Sequence, residues 1–329
     1  MSALNATSDT SFSMFILIGF PGLDDAHFWI AFPLCCIYLI AIIGNCTIVF
    51  IIKTESSLHE PMYFFLAMLA VIDILGVNSV IPKMLGIFWF NSREISFNAC
   101  LVQMFCIHSL SATESTILVA MAFDRYVAIC NPLRHASILT GSVVAKTGLV
   151  AVIRGAILMA PLPCLIKRLP YCRPTVLSHS YCLHQDVMKF SCADISVNII
   201  YGLIVIISAM GVDSLLIFLS YFLILKAVLK LNREARLKTF STCISHLCAV
   251  LIFYIPFIGL SMVHRFGKHS APSIAIAMAN VYLLVPPVLN PLVYGMKTKQ
   301  IRQRVVKMFH RNIIRPRAGV RGGQTGQLS

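Results

Sequence analysis

Four ionisable side chains interrupt long apolar stretches of the sequence: Asp73, Glu114, Arg154 and Asp213. A charge at the centre of a lipid bilayer costs about 2.5–3.5 kcal/mol on insertion scales, so such residues usually have partners or line an ion path. Two carboxylates held close together bind a cation or share a proton. If Asp73 and Glu114 meet, they form either a cation site or a neutral hydrogen-bonded pair. Arg154 and Asp213 have packing roles as readily as functional ones, and the sequence assigns no partner to either.

The triplet Asp124-Arg125-Tyr126 suggests a second kind of chemistry at the end of an apolar stretch. An arginine is always charged and carries five N–H donors. The carboxylate of Asp124 can hold it, and a released guanidinium can reach the free carbonyl groups at the C-terminal end of a partner helix. The triplet therefore fits a switch for partner binding, and the alternative is a basic residue at the membrane edge.

Ser261 and Arg265 suggest a ligand site, because residues four apart share one face of a helix. A guanidinium and a hydroxyl could therefore point into the same cavity. A partly dry arginine binds a carboxylate through two parallel hydrogen bonds. The alternative is that Arg265 extends along the helix to the membrane surface, as many basic residues at span ends do.

The composition of the chain indicates what kind of structure holds these residues. Of 329 residues, 58% are hydrophobic and 12% are charged, against about 25% charged in a soluble domain. Such a chain cannot cover a water-exposed surface, which excludes a soluble enzyme and a disordered protein. The net charge of +14 therefore predicts a basic membrane-facing side rather than a nucleic-acid partner.

Seven stretches are long enough to cross a bilayer, which takes about 20 helical residues. We expect spans over 28–52, 61–82, 99–123, 147–166, 195–225, 239–263 and 270–296. The sequence thus predicts an all-α membrane protein, a seven-helix transmembrane bundle over 28–296. A short amphipathic helix over 297–310, with Ile301 and Val305 on its apolar face, should lie on anionic membrane lipids. A disordered basic tail is expected over 311–329.

An odd number of spans places the two ends of the chain on opposite sides of the membrane. Most basic residues fall in one set of connecting segments, including Lys53, Arg134, the 226–238 stretch and the residues after Met296. The positive-inside rule makes that side cytoplasmic. The 1–27 tail should then be extracellular, and Asn5-Ala-Thr7 fits a glycosylation acceptor at Asn5.

Three classes of function fit a chain of this kind: a receptor, a transporter or channel, and an intramembrane enzyme. The four intramembrane charges could form an ion path, which keeps the second class as the alternative. The chain has no internal repeat, whereas many transporters have one. It also lacks the Gly-x-Ser-x-Gly and His-Glu-x-x-His motifs. We therefore expect no catalytic residue and no organic cofactor.

Five motifs in order carry a family resemblance. They are Gly44-Asn45, Pro61-Met-Tyr-Phe-Phe-Leu66, Met121-Ala-Phe-Asp-Arg-Tyr-Val-Ala-Ile-Cys130 with Asn131-Pro-Leu, Lys238-Thr-Phe-Ser-Thr-Cys-Ile-Ser-His246 and Asn290-Pro-Leu-Val-Tyr294. Together they resemble the odorant receptors, a family of rhodopsin-like G protein-coupled receptors. The resemblance runs from about Phe15 to Phe309. The 178–186 segment and His264-Arg-Phe are similar to the class I, or fish-like, members.

The resemblance implies how such a receptor would signal. A stimulatory heterotrimeric G protein of the olfactory type would couple at Asp124, Arg125 and Tyr126 and raise cAMP. The seventh span would switch at Asn290, Pro291 and Tyr294. Most of the superfamily carries a Trp two residues before a proline in the sixth span. Here Tyr254 precedes Pro256, so Tyr254 is expected in that role. Phe123 replaces the family's usual Tyr.

The resemblance also implies the ligand, the ion and the disulfides. Class I receptors favour polar odorants, including carboxylic acids, which Arg265 would anchor beside Ser261. His108, His184 and Gln185 would line the cavity, together with the apolar set Gly202, Val205, Ile206 and Leu260. Asp73 and Glu114 would face each other and hold a sodium ion. Four outer cysteines allow three pairings, of which the resemblance favours Cys100–Cys182 and Cys172–Cys192.

Overall fold

The computed structural model describes residues 14–20, 22, 26–171, 176–266 and 272–314. Within these residues seven helices are long and apolar enough to cross a membrane. They run His27–Thr54, Pro61–Phe90, Phe97–Cys130, Gly141–Lys167, Ser196–Val228, Cys243–Val263 and Ile274–Lys297. The predicted seven-helix transmembrane bundle is confirmed.

The helices are numbered in chain order. They are α1 (His27–Thr54), α2 (Pro61–Phe90), α3 (Phe97–Cys130), α4 (His135–Ile138), α5 (Gly141–Met159), α6 (Pro161–Lys167), α7 (His184–Val187), α8 (Ser196–Ile206), α9 (Val212–Val228), α10 (Arg233–Phe266), α11 (Pro272–Lys297) and α12 (Lys299–Ile314). A π-helix, Ile207–Gly211, joins α8 to α9. Several helices extend beyond the predicted spans, because a helix continues past its apolar stretch until a cap ends it. Thus α2 ends at Phe90 and is followed by Asn91, a left-handed cap residue with φ 51°.

A small sheet adds strands to the mainly helical fold. Strand β1 (Met14–Leu17) lies between β2 (Glu94–Ser96) and β3 (Val176–Leu177), antiparallel to β2 and parallel to β3. Phe15 and Leu17 of β1 are fully buried. Part of the predicted 1–27 tail is therefore an ordered strand. The sequence reading missed it because its partners lie about 80 and 160 residues further along the chain.

Close helix contacts depend on small residues. A Cβ added to Gly155 of α5 would lie 2.6 Å from Thr113 Oγ1 and 2.7 Å from the Ser109 carbonyl of α3. A Cβ added to Gly44 of α1 would lie 3.0 Å from Pro291 of α11. Small residues let membrane helices approach this closely, since packing rather than hydrophobic burial drives their association. The α3–α5 contact places Arg154 beside α3.

Helix α12 follows α11 closely and is tied to the rest of the bundle. Ile301 is fully buried, and Gln300 Oε1 accepts a 2.6 Å hydrogen bond from the Tyr63 hydroxyl. Arg304 forms an ion pair with Glu55 at 2.8 Å. The helix ends at Ile314, four residues past the predicted boundary at 310, so 311–314 are helical. The tail over 315–329 and the acceptor Asn5 lie outside the described residues.

Candidate functional site

The two ends of the bundle carry different groups. The disulfide end carries the Cys100–Cys182 bridge and the three-stranded sheet. The Asp124 end carries the Asp124-Arg125-Tyr126 triplet. A cavity lies towards the disulfide end. Its lining consists of His108, Ser111, Met159, Leu162, Leu183, His184, Gln185, Gly202, Val205, Ile206, Ala209, Met210, Phe257, Leu260, Ser261 and Tyr282.

The structure brings together the residues predicted to line a ligand cavity. Four of the predicted polar residues, His108, His184, Gln185 and Ser261, lie on the cavity wall. So do the four predicted apolar residues, Gly202, Val205, Ile206 and Leu260. Arg265 belongs to α10, one turn after Ser261, and its side chain lies outside the described part of the chain. The ligand-binding roles of all these residues stay predictions.

Two histidine side chains supply part of the polar character of the wall. The Nε2 atoms of His108 and His184 are buried and have no hydrogen-bond partner in the protein. Burial lowers the pKa of His184 to about 4, since a charged ring loses its hydration there. His184 is therefore uncharged at neutral pH. Each free nitrogen can donate to or accept from a ligand, depending on the tautomer.

The loop between α6 and α8 closes over the cavity through several ties. The Cys100–Cys182 disulfide fixes it to α3, and the Cys182 N–H donates to Gln103 Oε1 at 3.0 Å. The buried Tyr181 hydroxyl donates to the Ala279 carbonyl of α11 at 2.7 Å. These contacts hold His184 in place. The predicted Cys100–Cys182 pairing is therefore present.

The second predicted disulfide is only partly described. Cys192 is disulfide-bonded, while its predicted partner Cys172 lies outside the described residues. Within the same loop the buried Asp186 carboxylate faces His179 at 3.0 Å and Lys189 at 2.8 Å. The loop thus carries its own Asp186–Lys189 ion pair next to Gln185.

Arg154 of α5 and Asp213 of α9 form an ion pair inside the bundle, with Nη1 and Oδ2 2.8 Å apart. Arg154 Nη1 also donates to Thr116 Oγ1 at 2.5 Å. Its Nη2 donates to the carbonyls of Ser208 and Ala209, at 2.9 and 3.3 Å. Both carbonyls belong to the π-helix, and π-helical turns often mark functional sites. The sequence alone did not indicate a partner for either charge.

Tyr254 extends this network towards α10. Ser115 Oγ donates to Asp213 Oδ2 at 2.8 Å. Because that bond uses the only hydroxyl proton of Ser115, the Tyr254 hydroxyl must donate to Ser115 Oγ, also over 2.8 Å. Ala209 lines the cavity and bonds Arg154. A chain of direct contacts therefore connects the cavity wall with the residue predicted to replace the usual Trp.

Asp73 and Glu114 line a second, smaller cavity together with Ser79, Ser111 and Tyr282. Asp73 Oδ1 and Glu114 Oε1 are buried without a hydrogen-bond partner in the protein. Ser111 and Tyr282 line both cavities and share a 2.5 Å hydrogen bond, so this pair forms part of the wall between them.

The predicted switch residues of α11 lie close to the acidic cavity. Asn290 Nδ2 donates to Asp73 Oδ2 at 3.1 Å. Pro291 packs against Gly44. The Tyr294 hydroxyl is buried and has no hydrogen-bond partner in the protein, which leaves it free to bond another group after a rearrangement. Whether these residues switch during activation stays a prediction.

At the Asp124 end, the buried Asp124 carboxylate has two basic neighbours. Its Oδ2 lies 3.7 Å from Arg125 Nε. Its Oδ1 accepts a 2.9 Å hydrogen bond from Nε2 of His135, in the segment after α3. Nearby, the Tyr221 hydroxyl donates to His246 Nδ1 at 2.7 Å. The Asp124–Arg125 contact matches the internal ion pair that the triplet suggests.

Some residues of these sites were not predicted. Ser111 lies three residues after His108, and Phe257 lies four before Ser261, so helix periodicity could have identified both. Tyr282 and His135 had no such signal. Tyr282 belongs to a helix with no predicted cavity residue, and His135 meets Asp124 only because the chain turns after α3.

Seven spans, a lidded cavity at one end and an Asp-Arg-Tyr triplet at the other define a seven-span membrane receptor. The family model described as "Olfactory receptor" matches residues 34–312. Human olfactory receptor 51E1 is 67% identical over 303 residues, which cover 92% of this chain and 95% of that protein. Human olfactory receptor 51E2 is 59% identical over 310 residues, covering 94% and 96%. The chain belongs to the olfactory receptor family.

Membership in this family confirms the resemblance to rhodopsin-like, class I odorant receptors. The protein is a multi-pass plasma-membrane receptor for odorants that couples to a G protein, and it is not an enzyme. The transporter or channel reading is not favoured. The presence of four charged residues inside the bundle then needs an explanation other than an ion path. For Arg154 and Asp213, their contacts with each other and with Ser115 provide one.

Proposed function

We propose that this receptor detects small carboxylic acids and signals through a stimulatory G protein that raises cAMP. The observation that carries the ligand class is the place of Ser261 on the cavity wall. Arg265 follows four residues later on the same helix, and residues at that spacing share a face. The described lining has no Arg or Lys, so a guanidinium from α10 would be its dominant charge and would favour an anion.

The rest of the cavity fits the remainder of such a ligand. Val205, Ile206, Leu260 and Phe257 offer apolar surface to a carbon chain. A ligand of about 8 heavy atoms rarely approaches the ceiling of about 1.5 kcal/mol per atom. A binding free energy of about −5 to −6 kcal/mol corresponds to a Kd on the order of 0.1 mM. We therefore expect weak binding that depends strongly on its one charged contact.

Orientation and coupling belong to the same proposal. The Asp124 end carries the larger share of Lys and Arg, so we place it in the cytoplasm and the disulfide end outside. Disulfides persist in that oxidising compartment, and Asn5 would be glycosylated there. The G protein would meet Asp124, Arg125 and Tyr126, next to the almost fully exposed Leu133 (99%). Helix α12 would rest on anionic lipids of the inner leaflet.

For activation, we propose a path from the cavity to the G-protein side. A ligand that contacts the π-helix wall at Ala209 would disturb the bonds of Arg154 to the same backbone. Asp213 and Ser115 would pass the change to Tyr254 on α10. Ligand binding would then shift an existing equilibrium between two arrangements of α10. The rearrangement of Asn290, Pro291 and Tyr294 would follow.

We also propose a sodium ion at Asp73 and Glu114. The two unpartnered carboxylate oxygens and the neighbouring Ser79 and Ser111 hydroxyls form a set of hard oxygen donors, which suits such a cation. Thermal unfolding of the purified receptor in sodium chloride and in choline chloride tests this. Sodium should raise the melting temperature of the wild type and leave Asp73→Asn unchanged, and an equal response of both proteins would refute the site.

The ligand proposal is tested by cAMP in cells that express the receptor at matched surface levels. Straight-chain acids are compared with their alcohols on the wild type and on Arg265→Ala. Loss of a charge-assisted hydrogen bond costs about 1.5–3 kcal/mol, so acid potency should fall at least tenfold. Arg168→Ala is the matched control, because Arg168 is exposed and not part of the cavity wall.

Two other outcomes would correct parts of this proposal. If another odorant signals equally in the wild type and Arg265→Ala while acids do nothing, the acid anchor is wrong. If an acid raises calcium but not cAMP, the ligand class stands and the stimulatory G protein is wrong.

A further inference from the structure

The Asp186 carboxylate lies in the loop that closes over the cavity, and it contacts side chains from two parts of that loop. Its Oδ1 accepts a 2.8 Å hydrogen bond from Lys189 Nζ, which follows it in the chain. Its Oδ2 lies 3.0 Å from Nδ1 of His179, which precedes the disulfide at Cys182. The Asp186 side chain is only 10% exposed, so water does little to replace these partners. The carboxylate therefore joins the segment before the disulfide to the segment after it.

The segment between these contacts supplies two polar residues of the cavity wall. His184 and Gln185 line the cavity and belong, together with Asp186, to the four-residue helix α7. No side chain caps its first turn, and a helix this short has little stability of its own, because nucleation outweighs the few bonds it forms. The Asp186 and Val187 amides both donate to the Leu183 carbonyl at 3.1 Å. Side-chain ties such as those of Asp186 must therefore help to hold α7 in place.

The position of His184 decides which hydrogen bonds the wall can offer to a ligand. Its ring faces α8 at Gly202, where an added Cβ would lie 3.9 Å from the imidazole. Its buried Nε2 has no hydrogen-bond partner among the described residues, so this nitrogen is available to a ligand. Hydrogen bonds form over about 2.7–3.2 Å, so a shift of α7 by about 1 Å would break a ligand's bond to it.

We propose that Asp186 is a positioning residue for odorant binding. By engaging His179 and Lys189 together, its carboxylate holds α7 so that His184 and Gln185 present their polar groups at fixed positions. Asp186 itself is not among the residues described on the cavity wall. Its loss should therefore weaken odorant binding and leave the later coupling step intact. This inference rests on the proposed role of the cavity as the odorant site, and it does not require the odorant to be an acid.

The direct test is hydrogen exchange of the purified receptor in lipid nanodiscs, without ligand. Asp186→Asn keeps the size of the side chain but removes its charge, and it should speed exchange of the Val187 and Met188 amides roughly tenfold, as expected for loss of a hydrogen bond to a charged group. Lys189→Met should have a smaller effect in the same direction, because Lys189 is 59% exposed. Glu94→Gln is the matched control, since Glu94 is an exposed acidic residue of β2.

A signalling test separates positioning from damage to the fold. At matched surface level, Asp186→Asn should need a roughly tenfold higher odorant concentration for half-maximal cAMP, with an unchanged maximum. Lys189→Met should shift the potency less. In the Asp186→Asn background the lysine change should add nothing, because the charge that Lys189 pairs with is already absent. A lower maximum at unchanged potency would contradict a positioning role.

Unchanged exchange in both Asp186→Asn and Lys189→Met would overturn the proposal, and so would unchanged potency in Asp186→Asn. His184→Ala in the same panel distinguishes the two possible failures. If His184→Ala lowers potency while Asp186→Asn does not, the cavity stands as the odorant site and only the positioning role is wrong. If neither variant changes potency, the cavity is not the odorant site, and the proposed function fails together with this inference.

Discussion

Replacing Arg154 by Met removes the positive member of the ion pair inside the bundle and leaves Asp213 with one described hydrogen bond, from Ser115. The Asp213 side chain is 5% exposed, so water can do little to solvate the remaining charge. Breaking one side of a buried ion pair costs about 3–5 kcal/mol. At roughly 2–4 °C per kcal/mol, the melting temperature should fall on the order of 10 °C.

The converse change should cost less. Asp213→Asn removes the negative charge but leaves Arg154 its bonds to Thr116 and to two backbone carbonyls. Arg154 is also 25% exposed, which reduces the penalty for an unpaired charge. Loss of one charge-assisted hydrogen bond should lower the free energy of unfolding by about 1.5–3 kcal/mol. The double variant Arg154→Met/Asp213→Asn removes both charges and should be more stable than Arg154→Met alone.

Thermal unfolding of the wild type, the two single variants and the double variant in one detergent measures the order of their stabilities directly. Lys146→Met is the matched control, because Lys146 lies on the same helix and is exposed. Two results would refute the reasoning. One is a loss in Arg154→Met no larger than in Lys146→Met. The other is a double variant whose loss equals the sum of the single losses, which would mean that the two residues do not interact.

The remaining predictions concern the lid, the switch and helix packing. The pKa of His184 in the folded protein is about 4, below the value of about 6.5 in an unfolded chain. Between these two pH values the unfolded state binds more protons than the folded state. The free energy of unfolding therefore falls as the pH drops from 6.5 to 4. The melting temperature should therefore fall from pH 6.5 to 4, and less so in His184→Phe; parallel curves would contradict this. Tyr254→Phe removes the hydrogen bond to Ser115 and should change basal cAMP at matched surface level without loss of folding, whereas wild-type signalling would exclude a switch role. Gly155→Leu should abolish surface expression, because even its Cβ would lie 2.6 Å from Thr113, while the exposed Gly141→Ala should be tolerated.

The seven spans and the family could be predicted from the sequence, because both depend on local features. A span of about 20 apolar residues can be recognised in the sequence without knowledge of the helices that pack against it. The motifs around Asp124 and Asn290 likewise occupy single helices. Most of the predicted cavity lining came from the resemblance, while helix spacing indicated Ser261 and Arg265. The structure places His108 and Ser261 on the wall of one cavity.

Only the tertiary structure decided which distant groups meet. Arg154 and Asp213 are 59 residues apart, and nothing local to either residue indicates the other. The same holds for Tyr254 and Ser115, for β1 and its partner strands, and for Tyr282 in the wall of two cavities. A side chain inside a bilayer finds its partner through helix packing, which depends on the small residues at each crossing rather than on apolar length. His135 and Asp124 lie only 11 residues apart, yet their contact also required the chain to turn after α3.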